Sequence, residues 1–239
     1  MSTRNVDPRT VESFGEEWER FSYVDQDTPE VRKAFDEYFR IFPWDTLPDG
    51  ARGADFGCGS GRWARYVLPR VGSLVCVDAS EKSIASARRN LPETERVSFV
   101  QALIDEQMPI EDSSLDFAYS LGVLHHIPDT RAALAACTRK LKVGAPFLLY
   151  LYYALENRPA WYRAIWQASD VVRRRVSAMP MPARRHVTDL VALSVYWPLS
   201  RAAKVVEMAG ADPSLVPLAA YRAMPMYMLK NDAYDRLAT

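Results

Sequence analysis

Between Val11 and Phe42 the apolar positions recur three and four residues apart: Phe14, Trp18 and Phe21, then Val31, Phe35, Tyr38, Phe39 and Phe42. That spacing keeps one face of a helix apolar and predicts two amphipathic helices broken near Thr28-Pro29. From about Gly53 the rhythm changes. Short apolar and β-branched runs predict strands over 53–57, 73–78, 97–102, 115–121 and 145–153, alternating with helices over 60–68, 80–90 and 130–141. Ser80 is the expected N-cap of the second of these helices, and Pro128-Asp129 precede the third. Such alternation is the pattern of βαβ units, so the expected class is α/β: a mostly parallel sheet flanked by helices, behind an N-terminal helical cap.

After Tyr153 the alternation stops. Residues 161–176, 184–196 and 199–209 read as helical, with breaks at the proline-bearing joints MPMPA and YWPLS. No strand pair follows clearly, although MPMYML, Met224 to Leu229, is expected to be a strand. The expected organisation is a cap over 1–50, a core over 51–153 and a helical segment over 154–239, inserted after the fifth strand at the edge of the sheet where acceptors bind.

Charge sharpens this division. The chain carries 30 basic and 30 acidic side chains, yet residues 1–149 hold 18 against 23 and residues 150–239 hold 12 against 7. The overall balance gives no electrostatic case for nucleic acid or an anionic membrane. Cys58, Cys76 and Cys137 lack the paired close spacing of a zinc site or a disulfide framework and are expected to be reduced. No metal site is expected. The first ten residues have no signal-peptide core, and the longest apolar run, roughly Ala145 to Leu155, is short of a membrane span; a cytoplasmic location is expected.

The densest chemical signal is ADFGCGSGRW, residues 54–63, with three glycines in five positions between a strand and a helical run. Glycine suits positive φ and close approach to the main chain, and a helix N-terminus presents unpaired N–H groups to a ligand. The third glycine, Gly61, falls one residue early for the dinucleotide pattern G-x-G-x-x-G. The next strand, SLVCVD, ends in Asp78, placed to accept both hydroxyls of a ribose.

In combination these residues resemble the class I S-adenosylmethionine-dependent methyltransferases of the small-molecule branch, a resemblance covering about Gly53 to Tyr153. ADFGCGSG is similar to the family's D-x-G-C-G-x-G loop, VDAS (Val77, Asp78, Ala79, Ser80) to its ribose-binding strand end, SSLDFAYSLGVLHHIPD to its fourth strand, and LKVGAPFLL to the approach to its fifth. The resemblance implies a Rossmann-like fold and S-adenosyl-L-methionine as cofactor. It assigns Asp55, Gly57, Cys58, Gly59 and Gly61 to the methionine part, and Asp78 with Ala79 to the ribose. Ala102, Leu103 and Ile104 would edge the adenine, and Leu121, Val123 and His126 would lie beneath the sulfonium. Many relatives carry aspartate where Leu103 stands, so Gln101 or Asp105 are candidate substitutes for it.

The implied reaction is in-line methyl transfer to a small-molecule acceptor, for which the protein supplies alignment and water exclusion. For a hydroxyl acceptor His126 or His125 is the candidate base; the plainer reading has one satisfying loop backbone and the other packing beside the cofactor. Phe14, Trp18 and Phe21 are either ordinary core or a lid over the cofactor. Arg158, Arg163, Arg173, Arg174, Arg175, Arg184 and Arg185 suit an anionic acceptor or are simply solvated helix faces. Trp161, Tyr162 and Trp166 offer it a stacking surface or form a core stripe. Two other functions stay open: a cofactor-binding protein of the same fold without turnover, and an NAD(P)-dependent oxidoreductase, for which no Tyr-x-x-x-Lys pair is evident. Neither the motifs nor the charge favour a nucleic-acid substrate.

Overall fold

A computed structural model describes residues 5–23, 27–91, 94–152 and 170–238. The chain divides into two compact units, residues 1–28 with 32–153, and residues 29–31 with 154–239.

The first unit is built on strands β1 (Arg52–Phe56), β2 (Ser73–Asp78), β3 (Val97–Gln101), β4 (Phe117–Leu121) and β5 (Phe147–Tyr150). They lie in the order β3-β2-β1-β4-β5 and every pairing is parallel. After β3 the chain crosses to the other side of β1, so the carboxyl ends of β1 and β4 part around a crevice, where ligands bind in sheets of this kind. The central strands are buried in near-continuous runs, as expected of parallel strands covered on both faces. One face carries Ala54, Phe56, Val75, Val77 and Ala118, packed with Ala133 and Cys137 of helix α5 (Thr130–Lys140). On the other face Phe42 meets Phe117 edge-on at 5.9 Å and Phe39 meets Tyr119 at 5.2 Å. Gly53 allows that layer to close, because a Cβ there would stand 2.1 Å from the Phe117 ring.

Helix α1 (Pro8–Arg20) is capped by Asp7, which accepts from the Arg9 amide at 3.0 Å. Helix α2 is Pro29–Phe39. Helix α4 (Glu81–Asn90) opens on Ser80, whose Oγ accepts from the Ser83 amide, and α5 opens on Asp129, which accepts from the Ala132 amide at 2.9 Å. The predicted Ser80 cap is therefore in place, and Asp129, expected just ahead of its helix, caps it. The helix expected over 60–68 is much shorter: α3 is Ala64–Val67, followed by a 3₁₀ turn at Leu68–Arg70, because Gly59 and Gly61 hold positive φ and Pro69 stops regular propagation. The fifth strand ends at Tyr150, short of the expected 153.

In the second unit residues 170–177 are helical, whereas the stretch holding Trp161, Tyr162 and Trp166 lies outside the described residues. The expected break at YWPLS is absent. The helix Met181–Val191 runs through a π-helical turn, Ala192–Tyr196, into the helix Trp197–Met208. Pro198 falls in the first turn of that last segment, and the wider turn before it accommodates the hydrogen bond proline cannot donate. Met224 to Leu229 is not a strand. A helix spans Met226–Ala238 and buries Leu229 with Ala233, and Tyr234 with Ala238, at four-residue spacing. A six-residue apolar run is too short to reveal that period, which the sequence carries only downstream of it.

Candidate functional site

The turn after β1 is built from its glycines outward. Gly57, Gly59 and Gly61 have φ of 82°, 53° and 71°, in the left-handed region that penalises a side chain. Their amides are not free. Gly57 and Cys58 both donate to the Val77 carbonyl, at 2.8 and 2.9 Å, Gly59 donates to Asp78 Oδ2 at 3.0 Å, and Gly61 donates to the Cys58 carbonyl at 2.8 Å. These four amides are held by the chain itself, three of them by the neighbouring strand end, and the first regular helix begins at Ala64.

Space above the turn is also shared with the chain's own side chains. A Cβ on Gly57 would meet Val123 at 2.4 Å, and one on Gly59 would meet the Trp18 indole at 2.7 Å. Helix α1 is held down there. Ser86 Oγ donates to the Trp18 carbonyl at 2.8 Å, Asn90 Nδ2 donates to the carbonyls of Ser60 and Ser22, and the Arg62 guanidinium lies 5.1 Å from both the Trp18 and Tyr23 rings and 4.5 Å from that of Trp63. Of the three aromatics considered for a lid, Trp18 covers Gly59, Phe14 meets His126 edge-on at 4.8 Å, and Phe21 is buried.

Asp78 lies at the end of β2 and remains partly accessible. Its carboxylate accepts from the Gly59 amide through one oxygen and from the Ser80 amide, at 2.9 Å, through the other. Desolvation raises its pKa, opposed by the two amides and the Ser83 hydroxyl. An ionised carboxylate offers about four acceptor sites, so capacity remains for a further donor. Beside it opens a cavity of about 440 Å³ lined by Ala79, Ala102 and Leu103 together with Gln101, Asp105 and Val6. Ile104 is not with them: it is 7% exposed and packs into the core with Met108 and Ile110. Val6 went unnoticed in the sequence because nothing in its surroundings there marks it as near the third strand.

Asp55 sits one layer deeper, 3% exposed, at the end of β1. Its Oδ2 and the Tyr119 hydroxyl are both buried without a hydrogen-bond partner. Burial pushes the Asp55 carboxyl up to about 8; nearby Tyr119 and Arg62 oppose the shift, and Asp78 adds to it. Cys58 is buried, and its thiol is pushed well above the usual range by neighbouring Cys76 and by burial, so it is no nucleophile. Gly122, which follows Leu121 at the end of β4, has φ of 79° and open space where a Cβ would stand. Beyond it Val123 bends over Gly57, and His125 and His126 follow in a 3₁₀ turn with ring centroids 4.1 Å apart.

Residues 54–149 match the family model described as a methyltransferase domain. This core is therefore a methyltransferase domain, similar to those of the class I S-adenosylmethionine-dependent methyltransferases. The chain is 31% identical over 110 residues to the ubiquinone biosynthesis O-methyltransferase of Hahella chejuensis, covering 46% of this chain and 44% of that protein. To the enzyme of the same name from Idiomarina loihiensis it is 27% identical over 175 residues, 71% of this chain and 70% of that one. The chain spans about half the length of most of the curated relatives it matches. A solved structure of a methyltransferase from Bacillus halodurans aligns with a TM-score of 0.48 at 22% identity over 59% of each chain. The cofactor of the family that this domain matches is S-adenosyl-L-methionine.

The second unit shows what becomes of part of the basic group. Arg173 and Arg174 both pair with Asp170 at 2.8 Å, and Arg184 donates to the carbonyls of Met179 and Ala238. Three of the arginines considered for an anionic acceptor therefore have partners within their own unit. Among the described residues no helix is long and apolar enough to cross a membrane, and no group of three or more metal-ligating side chains comes together.

Proposed function

We propose that this protein transfers a methyl group from S-adenosyl-L-methionine to a small-molecule acceptor. The observation that carries the reading is Asp78: one carboxylate fastens the glycine turn and still has acceptor capacity beside a cavity large enough for a purine. Asp78 would hold the ribose hydroxyls, and Ala102 and Leu103 would flank the adenine. Asp105, which lines the same cavity, would accept from the exocyclic amine in place of the aspartate that Leu103 replaces. The orphaned Oδ2 of Asp55 suits an ammonium group, whose charge would draw that carboxyl back to its ionised form.

When bound, the cofactor supplies a methyl carbon made electrophilic by its sulfonium. The chain's own residues then align and enclose: Trp18 and Val123 close over the turn, and the open side at Gly122 admits the acceptor. Relatives named as O-methyltransferases support oxygen as the receiving atom.

The test is calorimetric titration of S-adenosylhomocysteine and of NAD into the wild type and Asp78→Ala. Binding of the first alone, weakened in the variant by about 1 to 3 kcal/mol, is the expected result. Equal affinity in wild type and variant removes Asp78 from the site, and preferential NAD binding replaces the reaction class.

A further inference from the structure

The cavity beside Asp78 is lined from the ends of β2 and β3 and the loop after β3, with one exception: Val6, which belongs to the N-terminal stretch ahead of α1. Val6 lies outside any strand or helix, between two residues that are each fixed separately. Asn5 turns its side chain on the main chain of Asp129. Its Nδ2 donates to the Asp129 carbonyl at 2.8 Å and its Oδ1 accepts from the Asp129 amide at 2.7 Å, so the carboxamide pairs with that residue as a neighbouring strand would, across 124 positions of sequence. Asp129 is a firm post, because its own carboxylate caps α5. On the other side of Val6, Asp7 accepts from the Arg9 amide and, at 3.1 Å, from the Thr10 hydroxyl, and α1 begins at once.

The two ends of this N-terminal element are fastened unequally. Toward its C-terminal end the Trp18 and Ser22 carbonyls accept from Ser86 and Asn90, the Arg62 guanidinium lies against the Trp18 and Tyr23 rings, and Phe21 and Tyr23 are buried. Toward its N-terminal end Phe14 meets His126 edge-on, and both bonds of the Asn5 pair are exposed. Water competes for exposed hydrogen bonds, so the end held by Asn5 is the one that opens locally at small cost.

From this geometry we propose that Asn5 is a positioning residue for the cofactor: it clasps Val6 against the adenine cavity as a strap, and the strap swings off Asp129 each time cofactor enters or its demethylated product leaves. The proposal rests on the methyltransferase reading above and concerns the adenosyl group common to both ligands. Val6 gives the base an apolar contact and leaves its edge to the polar residues of the same cavity. The strand ends that supply much of the remaining lining are locked in the parallel ladder, where Asp78 stands opposite Gln101, so the strap is the wall that can move. A clasp made equally over an empty and a filled cavity sets the speed of exchange rather than the affinity. Ligand then associates in proportion to the fraction of time the strap is open, and leaves when it opens.

The experiment is surface plasmon resonance of S-adenosylhomocysteine on the full chain, reading association and dissociation rates for the wild type, Asn5→Ala and Val6→Ala. Asn5→Ala removes both bonds of the clasp and should raise the two rates together, each about 10-fold, leaving Kd within about 3-fold of the wild type. Val6→Ala keeps the clasp and trims the wall, so it should raise the dissociation rate alone, by about 3-fold. A variant that merely disturbs the fold would bind more slowly, never faster. A lowered association rate in Asn5→Ala therefore overturns the proposal, as do rates equal to those of the wild type. A faster dissociation with unchanged association in Asn5→Ala overturns the swinging strap, and wild-type rates in Val6→Ala remove Val6 from the wall. In each of these cases S-adenosylhomocysteine still binds the wild type and the methyltransferase reading stands; absence of binding to the wild type overturns that reading and the strap with it.

Discussion

Replacing Asp55 by asparagine tests whether a buried carboxyl under the glycine turn stays protonated at neutral pH. The native carboxyl is raised to about 8, from an ordinary 3.8 in the unfolded chain. A native pKa above the unfolded one means that the folded state binds the extra proton between the two values. The associated stability is therefore whole at acid pH and is lost as pH rises through the native pKa. The slope approaches 1.4 kcal/mol per pH unit in that window, which is on the order of 3 kcal/mol between pH 5 and pH 8. Asparagine has no proton to lose and nearly the same shape. Urea denaturation of both chains at pH 5, 6, 7 and 8 should show them close together at the acid end, with Asp55→Asn gaining steadily on the wild type as pH rises. Asp78, also raised, is common to both chains and drops out of the comparison. Parallel curves across the range would refute the argument, because they would require Asp55 to be ionised and satisfied throughout.

Two glycines separate the causes that make glycine necessary. Gly53→Ala drives a Cβ to 2.1 Å from the fully buried Phe117 ring and should cost about 2 to 3 kcal/mol in chemical denaturation, whereas Gly122→Ala, with open space but φ of 79°, should cost only about 1 kcal/mol from backbone strain. At the opposite end of the sheet, burial would raise the Asp116 carboxyl, but Lys142 Nζ at 2.6 Å and the Arg52 amide at 2.9 Å outweigh it and hold the pKa below the usual range. A lowered native pKa gives stability that is present above the ordinary carboxylate range and lost as pH falls through the native value. Asp116→Asn should therefore remove about 1 to 2 kcal/mol at pH 7 and flatten thermal stability below pH 4; an unchanged acid limb would exclude the pairing.

Much of this arrangement can be read along the chain because its signals are local. The strand alternation, the Ser80 and Asp129 caps and the glycine turn each depend on a few neighbouring residues, and the structure has them where the pattern put them. What escaped depends on register. That Val77 offers its carbonyl to two amides of the turn follows from β1 lying beside β2 with Phe56 opposite Val77, which no spacing reveals. Likewise His125 and Tyr152 are distant in sequence and meet because β4 and β5 end side by side. The MPMYML stretch failed for the opposite reason: its local composition suits a strand, and the helical period that decides it begins at Leu229.

In the proposed function Asp78 would serve two masters, since the two oxygens that would meet a sugar also tie down the amides of Gly59 and Ser80. Selection on turnover and selection on foldedness therefore fall on one side chain. A descendant that abandoned catalysis would keep the aspartate and its glycines for architectural reasons alone, so the signature by which such chains are recognised reports the shape of a corner before it reports an activity.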